Sequence, residues 1–258
     1  RQAGVMRFEH AGKLRADFPE LVAGVVAANG IRPDVTLGLS QRIDAFTATA
    51  SARLAAGAAS EFPEIRAWRR AFAAMGRKPT QYRCAAEALL RRFAKDGALP
   101  RIHPLVDLCN ALSMAYAVPV AVLDLGRVSG DLSVCYAAGS ETYETFGGTV
   151  EHPGPGEVSF VDGSGRAHAR RWTNRQSGYS AVRAGTTSVL VVAEALHASA
   201  ERDVADLTAT LVAEIGAAWG GTPASAVLTG AAPVFTCRPD RTGSTSADRQ
   251  VRGESRTA

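Results

Sequence analysis

Ten cations crowd into residues 66–101. Arg66, Arg69, Arg70, Arg77, Lys78, Arg83, Arg91, Arg92, Lys95 and Arg101 stand against only Glu87 and Asp96, a net charge of +8 in a chain whose whole formal charge is +4. On helices, the steps 66–69–70 and 91–92–95 bring these charges onto common faces, which can follow a phosphate backbone or simply be solvated. A second run, Arg166, His168, Arg170, Arg171 and Arg175 around Trp172, has no acid between Gly163 and Ala193. Cations interleaved with an aromatic ring suit an unpaired base, with the ring stacking and the guanidinium groups holding phosphate. Surface arginines on a strand edge are the plain alternative.

Other chemistry is sparser. The five histidines (10, 103, 152, 168, 197) are never paired at a spacing that serves a metal, so no metal site is expected. There is no glycine loop followed by Lys-Ser/Thr to cradle phosphate and no strand–turn–helix nucleophile elbow. Cysteines 84, 109, 135 and 237 lack the close spacing of a zinc or redox motif and read as reduced thiols in apolar settings. His103 precedes Pro104 at a helix start and can serve as a cap. Glu157 opens a strand, where a carboxylate is either solvated or able to orient an amine or water.

These residues need elements to hold them. Leu39–Ala56 favours a helix, as does the stretch from about Pro63, where Ile65, Trp68, Phe72 and Met75 recur at three- and four-residue steps. Arg83–Lys95 and Leu105–Ala117 predict two more, the last with Asp107 and Asn110 off its apolar stripe, and a final helix spans about 200–218. From Val118 the pattern turns to short Val-, Tyr- and Phe-rich runs, predicting strands at 120–124, 132–137, 142–146, 157–161, 167–173 and 188–193, with an earlier one at 21–26. The expected fold is α+β, a helical N-terminal half packed on a mixed or antiparallel sheet from the C-terminal half, with a pocket between. Residues 1–16 are expected to be loose, 17–232 to form one domain, and 233–258 to be a disordered tail.

With 46% hydrophobic and 21% charged residues in 258, the composition excludes fibrous and fully disordered classes and allows a substantial core. No run approaches the ~20 apolar residues of a membrane span, and Arg7, His10, Lys13 and Arg15 interrupt every short apolar run before residue 20. A cytoplasmic protein is the expectation.

Six blocks taken in order go beyond periodicity: WRRAFAAMGRKPTQYRCAAEALLRR (68–92), LPRIHPLVDLCNALS (99–113), VPVAVLD (118–124), GDLSVCYAAGSETY (130–143), PGEVSFVD (155–162) and RRWTNRQS (170–177). Over about residues 20 to 230 the chain resembles the free-standing relatives of the editing module in the bacterial phenylalanyl-tRNA synthetase beta chain, the B-three/B-four or tRNA-binding domain. The resemblance implies an α+β fold whose pocket, in the synthetase, hydrolyses tRNA wrongly charged with tyrosine, using positioned water and no cofactor. An apolar pocket rejects an added hydroxyl by only about 10²-fold, so a second site must remove the errors.

Carried over residue by residue, the resemblance assigns Glu157 and Asn174 to catalysis and His103, Asn110, Ala121, Glu141, Arg171, Trp172, Arg175 and Gln176 to the pocket. The clustered cations Arg69, Arg70, Lys78, Arg83, Arg91, Arg92 and Arg101, together with Arg170, are the expected tRNA contacts, a reading that rests on their charge. Asp107, Pro119 and Asp124 match structural positions. Ala121 stands where the synthetase carries a histidine lining its editing site, so tyrosine specificity does not carry over. Three readings follow: a deacylase acting in trans on mischarged aminoacyl-tRNA, a non-catalytic module gripping tRNA or an aminoacyl end, and a pocket turned to a small amine or amino acid.

Overall fold

The computed structural model describes residues 4–35 and 37–240. The chain opens with β1 (Met6–His10), α1 (Gly12–Asp17) and β2 (Val22–Asn29), then α2 (Leu37–Ala56), α3 (Pro63–Ala74), α4 (Ala85–Asp96) and α5 (Pro104–Tyr116). Strands β3 (Val120–Asp124), β4 (Leu132–Tyr136), β5 (Tyr143–Glu144), β6 (Val150–Glu151), β7 (Val158–Asp162), β8 (Ala167–Arg170), β9 (Arg175–Gln176) and β10 (Ser188–Ala195) follow. Helix α6 (Ala200–Trp219) and strands β11 (Ala224–Leu228) and β12 (Val234–Cys237) complete it.

Local chemistry sets the helix ends. Pro63 and Pro104 occupy first turns, where a missing N–H costs nothing, and Gly97 closes α4 in the left-handed conformation. The strands form two main sheets: a mixed one ordered β12-β1-β4-β7-β8-β9, in which β1 and β4 run parallel, and an antiparallel one ordered β11-β2-β10-β3. Strands β5 and β6 make a separate hairpin.

Strand β10 is buried along its whole length and shows how the layers are built. Because side chains alternate across a strand, Val189, Val191, Ala193 and Ala195 enter one core, shared with α5 and α6. Leu190 and Val192 enter the other, shared with Trp68 of α3, Leu90 of α4 and Phe8 and Phe160 of the mixed sheet. Leu123 of β3 also falls in that second core. The antiparallel sheet therefore lies between a helical layer and the mixed sheet, and anything at an even position of β10 faces the mixed sheet.

The α+β class is as expected, but the division into halves is too simple. Both β1 and β2 come from the N-terminal half, and α6 from the C-terminal one. The expectation of a loose stretch over residues 1–16 is corrected by β1, which pairs with β12 and β4 because Met6, Phe8 and His10 alternate inward against Arg7 and Glu9. The expected tail from 233 begins with β12, and its remainder from 241 lies outside the described residues. No described helix is long and apolar enough to cross a membrane.

Candidate functional site

A pocket opens where the turn after β8 meets β3, β10 and the start of α4. Pro119, Val120 and Ala121 form one wall, Phe160 and Ala169 of the mixed sheet another, and Trp172 to Gln176 with Ala85 the rim. It holds about 50 Å³, enough for a few heavy atoms. Five sequence-assigned residues meet here: Ala121, Trp172, Asn174, Arg175 and Gln176. Larger grooves exist on the surface, but none gathers them.

The turn that supplies the rim is strained and heavily tied. Arg171 (φ 47°) and Trp172 (φ 57°) are non-glycine residues in the left-handed region, a conformation costing on the order of 1–3 kcal/mol each. The Trp172 N–H donates to the Val158 carbonyl at 2.7 Å and the Arg171 N–H to Glu157 Oε1 at 3.1 Å. The Asn174 amide donates to the Arg83 carbonyl at 2.8 Å, the Ala85 N–H to the Thr173 carbonyl at 2.7 Å, and the Gln176 amide to the Val122 carbonyl at 2.7 Å. Backbone strain maintained by such ties is common where a rim must be presented to a ligand.

Trp172 does not offer a face to a base. It is buried, with its ring against Trp68 at 4.8 Å between centroids and Phe18 at 5.1 Å, both edge-on, so the expected stacking platform is a core residue that also lines the pocket. Its indole N–H donates to Glu194 Oε2 at 2.7 Å. That same oxygen lies 2.7 Å from His10 Nε2. Glu194 occupies an even position of β10, is 1% exposed and lines the pocket. Neither Glu194 nor His10 was assigned from sequence. The signals were a lone acid within the apolar run SVLVVAEAL and the inward alternation Met6–Phe8–His10.

Glu157, assigned to catalysis, is a saturated structural carboxylate. Arg170 grips it through Nε at 2.9 Å and Nη2 at 3.0 Å, the Gly154 and Arg171 N–H groups each donate to it at 3.1 Å, and Arg77 approaches to 3.8 Å. Burial would raise its pKa, but these bonds, Arg170 first, hold it below the usual carboxylate value. A carboxylate so bound is a poor base, and it is absent from the pocket lining. Arg170, assigned to tRNA, is itself buried and also binds Glu151 at 2.8 Å. Arg175 reaches Glu151 at 3.1 Å, while the Arg171 guanidinium sits 5.0 Å from the Tyr82 ring centroid.

Three other assigned pocket residues lie elsewhere. His103 caps α5, its Nδ1 accepting the Leu105 N–H at 3.1 Å, and burial lowers its pKa. Asn110 faces a separate groove between α2 and α5. Glu141 accepts the Ala138 and Gly139 N–H groups at 2.8 Å each; burial opposes ionisation there, but these bonds win and hold its pKa below the ordinary value.

The basic helices divide into two kinds. Arg69 and Arg83 turn inward to the buried Glu87, at hydrogen-bond range and 3.6 Å respectively, so they neutralise a core carboxylate and do not form a free phosphate surface. Arg92 pairs with Asp96 at 3.7 Å and Arg101 with Asp44 at 3.4 Å. Arg70, Lys78, Arg91 and Lys95 are exposed and have no ion pair among the described residues. Arg91, Arg92 and Lys95 border a broad groove beside the end of α2.

Two further constellations carry less than their residue types suggest. His168 lies 2.7 Å from Ser180 Oγ and 2.8 Å from Asp162 Oδ2, the reach of a hydrolytic triad, but His168 and Ser180 are 0% exposed and no substrate can reach them. Glu64, His197 and Asp203 bring ligand atoms within 4.8 Å of one another. Arg53 already binds Glu64 at 3.0 and 2.9 Å, and Asp203 accepts from His197, Ser199 and Arg202, so those donors are committed to protein partners. Burial pushes the Cys84 and Cys109 thiols up to about 12, which removes them as nucleophiles.

A family model described as the B3/4 domain matches residues 67–208, a span containing every residue of the pocket lining. No curated protein matches. Among solved structures, the chain is similar to an N-terminal fragment of the phenylalanyl-tRNA synthetase beta-subunit from Pyrococcus horikoshii, at 11% identity and a TM-score of 0.45. The similarity covers 84% of this chain and 49% of that one, so the chain spans about half of the fragment.

Proposed function

The chain belongs to the B3/4 domain family, and from that premise we propose that it hydrolyses the ester of mischarged aminoacyl-tRNA, acting in trans at the pocket beside Trp172. The observation that carries this reading is the convergence of Ala121, Trp172, Asn174, Arg175 and Gln176 on one cavity. The cavity is apolar on two sides and polar at its rim, as an aminoacyl group with its ester at the mouth requires. The chemistry is attack by water positioned at the ester, since Ser180 is sealed and the buried thiols are protonated. Glu157 and Arg170 keep the rim in shape and do not touch substrate. The reading brings tRNA as partner and the cytoplasm as place of action.

The methyl group of Ala121 leaves room that a larger side chain would fill. Incubation with a panel of mischarged tRNAs is expected to release free amino acid from at least one of them, and Ala121→Phe, which fills the cavity, to abolish that release. Intact tRNA across the panel at high protein concentration, or an unchanged rate in the variant, would overturn the reading. A second reading, a non-catalytic module gripping tRNA, is favoured by the exposed Arg70, Lys78, Arg91 and Lys95, which have no ion pair among the described residues. It expects affinity that falls steeply with salt and no turnover.

A further inference from the structure

We propose that Arg127, Arg166 and Arg183 form a phosphate-binding surface, separate from the pocket and from the basic helices, that takes the backbone of an unpaired nucleic-acid strand while Phe146 stacks on one of its bases. The assignment does not need the pocket to be an editing site.

Three cations from three loops meet at Tyr179. The Arg166 guanidinium lies over the Tyr179 ring at 3.6 Å from its centroid and that of Arg127 at 5.2 Å, so two charges share one half-buried ring. The Arg183 guanidinium donates at 2.8 Å to the carbonyl of Gly178, the residue before Tyr179. Arg127 and Arg183 are exposed and have no ion pair among the described residues, and Glu144 approaches Arg166 only to 3.9 Å. A guanidinium stacked on a ring keeps its N–H edge aimed outward, which suits bidentate capture of phosphate.

Buried polar groups that no catalytic step uses fix the loops carrying these cations. Asp124 Oδ1 accepts the Gly126 N–H at 2.9 Å and Oδ2 the Thr186 hydroxyl at 2.7 Å, and that hydroxyl oxygen accepts the Arg183 N–H at 2.9 Å. Asp162 accepts the Arg166 N–H at 3.1 Å and the Ser129 N–H at 3.0 Å. The sealed His168 bridges Asp162 to Ser180, the residue after Tyr179, and its ring centroid lies 6.3 Å from that of the tyrosine. A satisfied buried network is rigid, so the three guanidinium groups are held in register, which solvated surface charges do not require.

Arg127 and Arg183 stand on open surface, where a small ligand would gain little burial and an extended strand can lie. Phe146 supplies the base contact that the buried Trp172 cannot. It is 73% exposed at the tip of the β5–β6 hairpin, whose backbone lies against the Tyr179 loop: a Cβ added to Gly178 would sit 2.7 Å from Phe146 Cα. Rings bordered by cations bind single strands whatever their sequence, because every base has a face to stack.

The test follows the fluorescence anisotropy of a short labelled single-stranded RNA of mixed sequence, at several salt concentrations, with the whole protein, with Arg127→Gln combined with Arg183→Gln, and with Phe146→Ala. Unaltered protein is expected to bind with affinity that falls as salt rises. The double variant should bind at least tenfold more weakly, with its log–log salt slope reduced by about 0.7 for each phosphate no longer neutralised. Phe146→Ala should bind at least fivefold more weakly with the slope unchanged, since stacking is lost and charge is not. No binding, a tighter hold on a duplex of the same sequence, equal competition by polyglutamate, or unaltered affinity in either variant would overturn the proposal. Should the double variant not fold, Arg127→Gln alone decides the matter, because that side chain makes no hydrogen bond among the described residues. Whether mischarged tRNA is deacylated leaves this outcome untouched, so the two readings fail separately.

Discussion

Asp162 accepts five hydrogen bonds, from the Ser129, Ser164 and Arg166 N–H groups, the Ser164 hydroxyl and the His168 ring. Burial would raise its pKa, but these donors, His168 first, hold it far below the ordinary carboxylate value. A depressed folded-state pKa gives stability that is complete above the unfolded value of about 4 and is lost as pH falls through the folded one. Asp162→Asn is therefore expected to lose about 3–5 kcal/mol at neutral pH. Its deficit against the unaltered protein should narrow below about pH 4, as urea unfolding between pH 3 and 7 would record. A deficit independent of pH would refute the assignment. At this scale the sequence displayed residue types but not their partners. Glu157 looked like a free acid because Arg170, thirteen positions away, grips it only after β7 and β8 pair. Glu194 and His10 are 184 positions apart, and no local spacing could have joined them.

Helix α6 lies directly on β2. A Cβ added to Gly24 would sit 2.1 Å from Thr208 Oγ1 and 3.0 Å from Val204 Cγ1, so the helix would have to move. Gly24→Ala should cost about 1–3 kcal/mol, visible as a lower midpoint in denaturant with an unchanged slope. An unaffected midpoint would mean that helix and strand pack more loosely than described. Helices α3, α4 and α5 were legible because their apolar residues recur at three- and four-residue steps. β1 and β12 were not, since short strands with one half-exposed face carry few apolar residues to count. The strand predicted over 167–173 ends at Arg170, because tertiary hydrogen bonds impose left-handed geometry on Arg171 and Trp172 that neither residue favours alone.

For the molecule as a whole, the cations divide between holding the fold and facing solvent. Replacing Arg70, Lys78, Arg91 and Lys95 together by alanine should leave unfolding nearly unchanged. On the tRNA reading it should also weaken binding and flatten its dependence on salt by about one unit of log–log slope for each phosphate no longer neutralised. Filter binding at several salt concentrations would show this, and an unaltered slope would remove that face from the interface. The excess of charge was legible in the sequence. Its division was not, because the Arg69–Glu87 pair joins two helices across 18 positions. Strand β1 is clamped between β12 and β4 and carries His10 to the pocket acid. A proteolytic nick between His10 and Gly12 would thus unzip two ladders and part His10 from Glu194, so that damage near the beginning of the chain is felt at the pocket wall.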